Sequence, residues 1–292
     1  MKIGYPCICL SLSCRASSTF RLRSYSAARL KETVAANLDC LRRILEFNAA
    51  RGILHFRITS DLVPFASHPV CRFRWQTAFR KDFSAIGSFI RKNGFRISMH
   101  PDQFTLINSP DRDIVRRSVR ELVYHAEILD LLGLDSTAKV QIHVGGVYGE
   151  REAAIGRFVS AHARLPKEVR RRLAVENDDR LFPLQDCLRI HELTGVPVAF
   201  DVLHHRILNR GEPVREALFA AAKTWRKRDG IPIVDYSCQD PDRRVGAHCA
   251  SIDLKDFRAF LRLSRPWDFD IMLEIKDKEK SALIALRAAQ RP

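Results

Sequence analysis

The chain has 292 residues, with 49 lysines and arginines against 34 aspartates and glutamates, a formal charge of +15 and a pI of about 9.8. With 46% hydrophobic and 28% charged residues it is neither disordered nor acidic, and at roughly 150 residues per domain the length accommodates two domains or one large barrel. A charge excess of this size points to a polyanionic partner, nucleic acid being the commonest, with a merely basic composition as the bland alternative.

The chain opens with Lys2 and an uncharged run from Ile3 to Cys14. Gly4, Pro6 and several serines interrupt that run, so a strand at Ile3–Tyr5 followed by a loop fits better than a secretory leader. Leu30, Val34, Leu38, Leu41 and Leu45 then recur on one face of a helix. Ile53–Ile58 reads as a second strand. Phe79, Phe83, Ile86 and Ile90 mark a second helix that stops at Gly94, ahead of a strand at Phe95–Met99. A helix over 112–132, closed by Gly133, leads to Lys139–Val144, and a charged helical segment over 150–170 leads to Leu173–Val175. A helix over 184–194, closed by Gly195, precedes Val196–Phe200; a helix over 214–226 precedes Ile231–Tyr236; a helix over 254–263 precedes Phe269–Ile275 and a final helix.

Eight strand-like runs separated by helices predict an α/β fold, a single-domain (β/α)8 TIM barrel over residues 1–292. A doubly wound open sheet is the alternative, but the chain carries neither G-x-G-x-x-G nor G-x-x-x-x-G-K-[ST]. No apolar stretch approaches the roughly 18 residues of a membrane span. The cysteines at 7, 9, 14, 40, 71, 187, 238 and 249 include no Cys-x-x-Cys pair and read as free thiols in a reducing cytosol.

Metal-ligating residue types fall where the strands end: His100, His143, Glu176, Asp201, Asp235 and Glu274, with His204 and His248 in nearby loops. In a barrel the strand C-termini converge on one mouth, so these side chains can face a common volume. A single histidine at a strand end is usually a hydrogen-bonded rim residue, but carboxylates crowded together without cations would repel one another in a low dielectric. Imidazole and carboxylate without thiolate suit Mn²⁺, Zn²⁺, Fe²⁺ or Co²⁺. Glu176 lies between His143 and Asp201 in strand order, which makes it the natural bridge between two ions about 3.5–4 Å apart, the separation used for attack on phosphate. Asp201 and His204 could feed neighbouring ions, whereas His205 reads as a packing or hydrogen-bonding residue.

The segments Gly4-Tyr5-Pro6-Cys7, Phe56-Arg57-Ile58, Pro64-Phe65-Ala66-Ser67-His68-Pro69, Ser98-Met99-His100-Pro101-Asp102-Gln103, Glu176-Asn177-Asp178, Asp201-Val202-Leu203-His204-His205 and Gly246-Ala247-His248 together resemble the UV damage endonuclease family, in order and over nearly the whole chain. The resemblance implies a barrel related to endonuclease IV that binds two or three divalent ions, usually Mn²⁺, and nicks duplex DNA immediately 5′ of UV lesions. Cyclobutane pyrimidine dimers, 6-4 photoproducts and abasic sites are the lesions it implies. Carried over, His100, His143 and Glu176 hold a first ion; Glu176, Asp201, Asp235 and Glu274 a second; His204 and His248 a third. Glu176, His143 and His68 form the catalytic set, His68 standing on the phosphate side or supporting a ligand. Gln103 and Phe104 probe the damaged duplex, and Tyr5 either stacks on DNA or packs in the core. Arg57, Lys276 and Lys278 are candidate phosphate contacts.

Two positions depart from the family pattern. Ile233-Val234-Asp235 stands where better known members have Lys-x-His, so the third ion is weak, relies on water or borrows a carboxylate, while Asp235 remains a sound ligand. Phe104 stands where a tyrosine is usual and keeps the stacking face. The chemistry expected is hydrolysis of a phosphodiester by a water that the ions make acidic, with no covalent intermediate, losing activity below about pH 6 as the histidines protonate. The expected partner is damaged double-stranded DNA, gripped by a basic, salt-sensitive surface, with no membrane, no organic cofactor, a monomeric state and a cytoplasmic, nucleoid-associated location. The competing readings are a metal-dependent sugar isomerase or epimerase, for which the +15 charge has no use, and a DNA-binding barrel with impaired catalysis.

Overall fold

A computed structural model describes residues 1–290, so the last two residues of the expected 1–292 domain lie outside the described residues. Eight parallel strands close into a barrel in strict chain order, and β8 returns to pair with β1. The strands are β1 (Ile3–Pro6), β2 (His55–Ile58), β3 (Arg96–Met99), β4 (Lys139–His143), β5 (Leu173–Glu176), β6 (Val198–Asp201), β7 (Ile233–Tyr236) and β8 (Asp270–Leu273). The helices are α1 (Ala27–Ala49), α2 (Trp75–Ala78), α3 (Arg80–Lys92), α4 (Arg112–Leu131), α5 (Arg151–Arg164), α6 (Lys167–Arg170), α7 (Leu184–Thr194), α8 (Val202–Ile207), α9 (Val214–Ala222), α10 (Leu254–Leu263) and α11 (Glu279–Ala289). Every predicted strand is present, trimmed or extended by a residue or two. The open-sheet alternative is excluded by closure.

Side chains alternate along each strand, so the barrel sorts every strand into two sets. Val140, Ile142, Val175, Val198, Phe200, Val234, Ile271 and Leu273 are fully buried in the layer beneath the helices, where Leu38, Leu41 and Leu45 of α1 meet them from outside. The other set fills the barrel and is largely polar. At its floor Lys139 Nζ lies 2.5 Å from Asp229, and Arg96 lies 3.8 Å from Asp270. Gly4 admits the closure between β1 and β2, since a Cβ there would stand 1.6 Å from the His55 carbonyl oxygen.

Four expectations are corrected. The helical segment over 150–170 breaks at Leu165, held extended ahead of Pro166, into α5 and α6. The helix over 214–226 stops at Ala222, and Trp225 then turns inward to donate from its indole nitrogen to the Val198 carbonyl at 2.7 Å. His204 is not in a loop: it rides on α8, which Asp201 caps through its side chain. The cysteines are not all free, because Cys14 is paired with Cys40 on α1 and Cys238 with Cys249, at Cα separations of 5.8 and 5.5 Å. These pairs join segments that meet only in the fold, which spacing does not reveal. Among the described residues no helix is long and apolar enough to cross a membrane.

Candidate active site at the barrel mouth

Glu176 is the last residue of β5, in register with His143 on β4, and only 1% of its surface is exposed. Its two oxygens face different partners. Oε2 lies 3.0 Å from His100 Nε2, and Oε1 lies 3.3 Å from His204 Nδ1. Two donor sets result, His100–His143–Glu176 and Glu176–Asp201–His204, each with its ligand atoms within 4.8 Å of one another. The rings of His100, His143, His204 and His248 follow one another round the rim, with centroids 5.2, 5.7 and 6.4 Å apart. His204, whose ring neighbours that of His248, also faces Glu176 and Asp201 from the first turn of α8, where its own N–H donates to Asp201 Oδ1 at 2.6 Å.

Both sets have the chemistry of a divalent-cation site. His100 Nδ1 is engaged by the Pro101 carbonyl at 2.7 Å, which leaves Nε2 to ligate. Asp201 Oδ2 and His143 Nδ1 are buried without a hydrogen-bond partner, open valences that a polar interior rarely leaves unused. The electrostatics agree. Burial opposes the charge on Glu176, but the imidazoles of His143, His100 and His204 hold its carboxyl well below the usual range. Burial also opposes a proton on His204, yet Asp201 and Glu176 outweigh it and push that pKa up to about 11. Burial, with Glu176, Glu274 and Asp235 nearby, pushes the Asp201 carboxyl up. The mouth therefore recruits positive charge, and protons take the place a metal ion would fill.

Asp235 and Glu274 do not join either set. The guanidinium of Arg57, expected to contact phosphate, is instead buried and points from β2 into the barrel. Its Nη2 lies 2.9 and 2.8 Å from the two oxygens of Asp235, and its Nη1 pairs with Glu274. Gln141, one turn of the pleat below His143, donates to Glu176 Oε2 at 2.6 Å and also to Asp235. Burial, together with Glu274 and Glu176 and against Arg57, pushes the Asp235 carboxyl up to about 7. His248 approaches Glu274 only to 3.7 Å.

Tyr5 is corrected from a DNA contact to a core residue: it is fully buried, its hydroxyl donates to Asn48 of α1 at 2.7 Å, and its ring meets Phe56 edge-on. His68 belongs to neither donor set; it stands exposed in the loop after β2, near Asp102 and Phe104. Phe104 is 72% exposed in the loop after β3, while Gln103 lines the same cleft as His143, His204 and His248. Lys276 is half exposed and bound to Asp240 at 2.9 Å. His205 packs against Phe200 and lies 3.1 Å from the Glu212 carbonyl. Sequence reading missed Gln141 and Asn177, whose amide exchanges two hydrogen bonds with the Asp201 backbone at 3.0 and 2.9 Å. Gln141 could have been found as the polar residue two before His143, on the same face of the strand as Lys139 and His143.

Comparison with known proteins places the chain in a family. The family described as UV-endonuclease UvdE matches residues 1–290. A UV DNA damage endonuclease of Clostridium perfringens is 38% identical over 285 residues, covering 97% of this chain and 69% of that one. The crystal structure of SacUVDE superposes with a TM-score of 0.96 at 42% identity, covering 99% of this chain and 98% of the other. Endonuclease IV from Thermus thermophilus, at 17% identity and a TM-score of 0.58 over 86% of this chain and 93% of its own, shares the fold. This chain belongs to the UV-endonuclease UvdE family.

Proposed function

We propose that the protein, acting as one domain over 1–292, nicks the backbone of damaged duplex DNA immediately 5′ of UV lesions, namely cyclobutane pyrimidine dimers and 6-4 photoproducts, and of abasic sites. The observation that carries the reading is the division of Glu176 between two donor sets at the mouth of a UvdE-family barrel. Divalent cations, Mn²⁺ in this reading, would supply Lewis-acid charge for phosphodiester hydrolysis when held by His100, His143 and Glu176 and by Glu176, Asp201 and His204. The chain's own residues do the positioning. Gln141 fixes the rotation of the Glu176 carboxylate, Asn177 holds the Asp201 backbone, and the α8 cap aims Asp201 Oδ2 into the mouth. Gln103 and the exposed ring of Phe104 face the DNA and read the lesion.

A net charge of +15 suits this substrate and has no counterpart in a neutral sugar, so the epimerase reading is not favoured. In this reading the enzyme works as a monomer without an organic cofactor, in the cytoplasm and at the nucleoid. The test is incubation of the protein and Mn²⁺ with a duplex carrying one cyclobutane dimer. A nick immediately 5′ of the dimer is the expected product, and Glu176→Gln should abolish it while lesion binding persists. An uncut dimer duplex, or full cutting by Glu176→Gln, sinks the reading.

A further inference from the structure

We propose that the guanidinium of Arg57 stands in for a divalent cation at the Asp235–Glu274 pair, so that metal ions are confined to the two sets that share Glu176. This rests on the metal-dependent reading above. Arg57 is held on the inner face of β2, 4% exposed, and a guanidinium stays charged under all conditions in which the protein folds. Both oxygens of Asp235 are taken, by Arg57 Nη2 at 2.9 and 2.8 Å, with Gln141 Nε2 as an additional donor to Oδ2. Glu274 Oε1 is taken by Arg57 Nη1, which leaves Oε2 facing His248 Nε2 at 3.7 Å.

Three of the four carboxylate oxygens contributed by Asp235 and Glu274 therefore already accept from Arg57 or Gln141, and a divalent ion between them would have to displace the guanidinium. A divalent ion placed there would also sit against a fixed positive charge in a buried site, where like charges repel far more strongly than in water. Asp235 and Glu274 are consequently anchors for Arg57, and Arg57 is a positioning residue that keeps the far wall of the mouth ordered and offsets one of its two negative charges whether or not the ions are bound. Among the described carboxylates and imidazoles at the mouth, Asp201 Oδ2, His143 Nδ1 and His248 Nδ1 are buried without a partner, and the first two belong to the sets that share Glu176.

The test counts Mn²⁺ bound per chain by equilibrium dialysis, without reference to nicking. Wild type should bind no more than two ions. Asp235→Asn should bind as many as wild type, whereas Asp201→Asn should bind one fewer. Arg57→Gln should bind one ion more than wild type, and that extra ion should vanish in Arg57→Gln combined with Asp235→Asn. Should Arg57→Gln not fold, Asp235→Asn decides alone. Loss of an ion in Asp235→Asn, three ions on wild type, or no gain in a folded Arg57→Gln overturns the role given to Arg57 and leaves the nuclease reading standing. Wild type that binds no Mn²⁺ at all overturns the metal-dependent reading, and this proposal with it.

Discussion

Gln141 donates to Glu176 Oε2 at 2.6 Å, from the strand next to it and one pleat below His143. The contact decides how the shared carboxylate faces its two donor sets, because a carboxylate free to rotate would offer its oxygens to one set at the expense of the other. Gln141→Leu preserves the volume and removes the amide, and a partner that orients a ligand contributes about 10–100-fold to metal affinity. Mn²⁺ affinity measured by calorimetry should drop by that factor. Unchanged affinity in the folded variant would show that Glu176 is held by the histidines alone.

Phe104 is 72% exposed, and its backbone N–H is fixed by Asp102 Oδ1 at 2.8 Å, so the loop presents the ring without burying it. A ring this exposed contributes little to stability, and stacking on a base is worth about 1–3 kcal/mol. Phe104→Ala together with Gln103→Ala should therefore leave the melting temperature unchanged while lowering affinity for a dimer-containing duplex about 10–100-fold, and affinity for undamaged duplex much less. Equal losses on both duplexes would reduce the pair to general backbone contacts.

The barrel and its mouth were legible because alternation in the strands is chemical as well as geometric. His143, Glu176 and Asp201 end their strands on the inward side, His100 follows the last residue of β3 and Asp235 precedes the last residue of β7, and two residues before each stand Gln141, Ala174, Ala199, Ser98 and Ile233. What could not be read was direction within the barrel. Arg57 looks like a surface phosphate contact in a list of basic residues, yet its place two beyond His55 puts it on the inner face of β2, opposite two carboxylates contributed by β7 and the end of β8. Tyr5 fails in the opposite sense, since an odd position on β1 turns it toward α1. The approach of His204 to Glu176 depends on a helical turn, α8, too short for hydrophobic periodicity to register.

His204 carries a proton at neutral pH in the cation-free protein, because burial is outweighed by Asp201 and Glu176 and the pKa stands at about 11. The raised value means that the proton is bound below that pH, so a cation entering the Glu176–Asp201–His204 set must expel it. Apparent Mn²⁺ affinity at this set should rise up to about tenfold per pH unit between about 6 and 9. Titration calorimetry in buffers of different ionisation enthalpy should show at least one proton released per ion bound there. Binding with no proton release would mean that His204 is not a ligand.

His125 offers a test of stability away from the mouth. It is fully buried, with Nδ1 at 2.8 Å from the Glu121 carbonyl and Nε2 at 3.0 Å from Ser60 Oγ, and burial lowers its pKa from 6.5 to about 4. Above pH 6.5 neither the folded nor the unfolded chain binds a proton at this ring, and it contributes no pH dependence. As the pH falls below 6.5 the unfolded chain takes up a proton that the folded chain refuses until about pH 4, so stability is lost across that window and levels off below it. At about 1.4 kcal/mol per pH unit the loss amounts to about 3 kcal/mol, and His55, whose pKa burial also lowers, steepens it in the same direction. Urea unfolding between about pH 7.5 and 4 should show this decline. His125→Gln should flatten the slope by about one proton even though it costs stability at every pH, and a slope identical to wild type would mean that His125 is protonated in the fold.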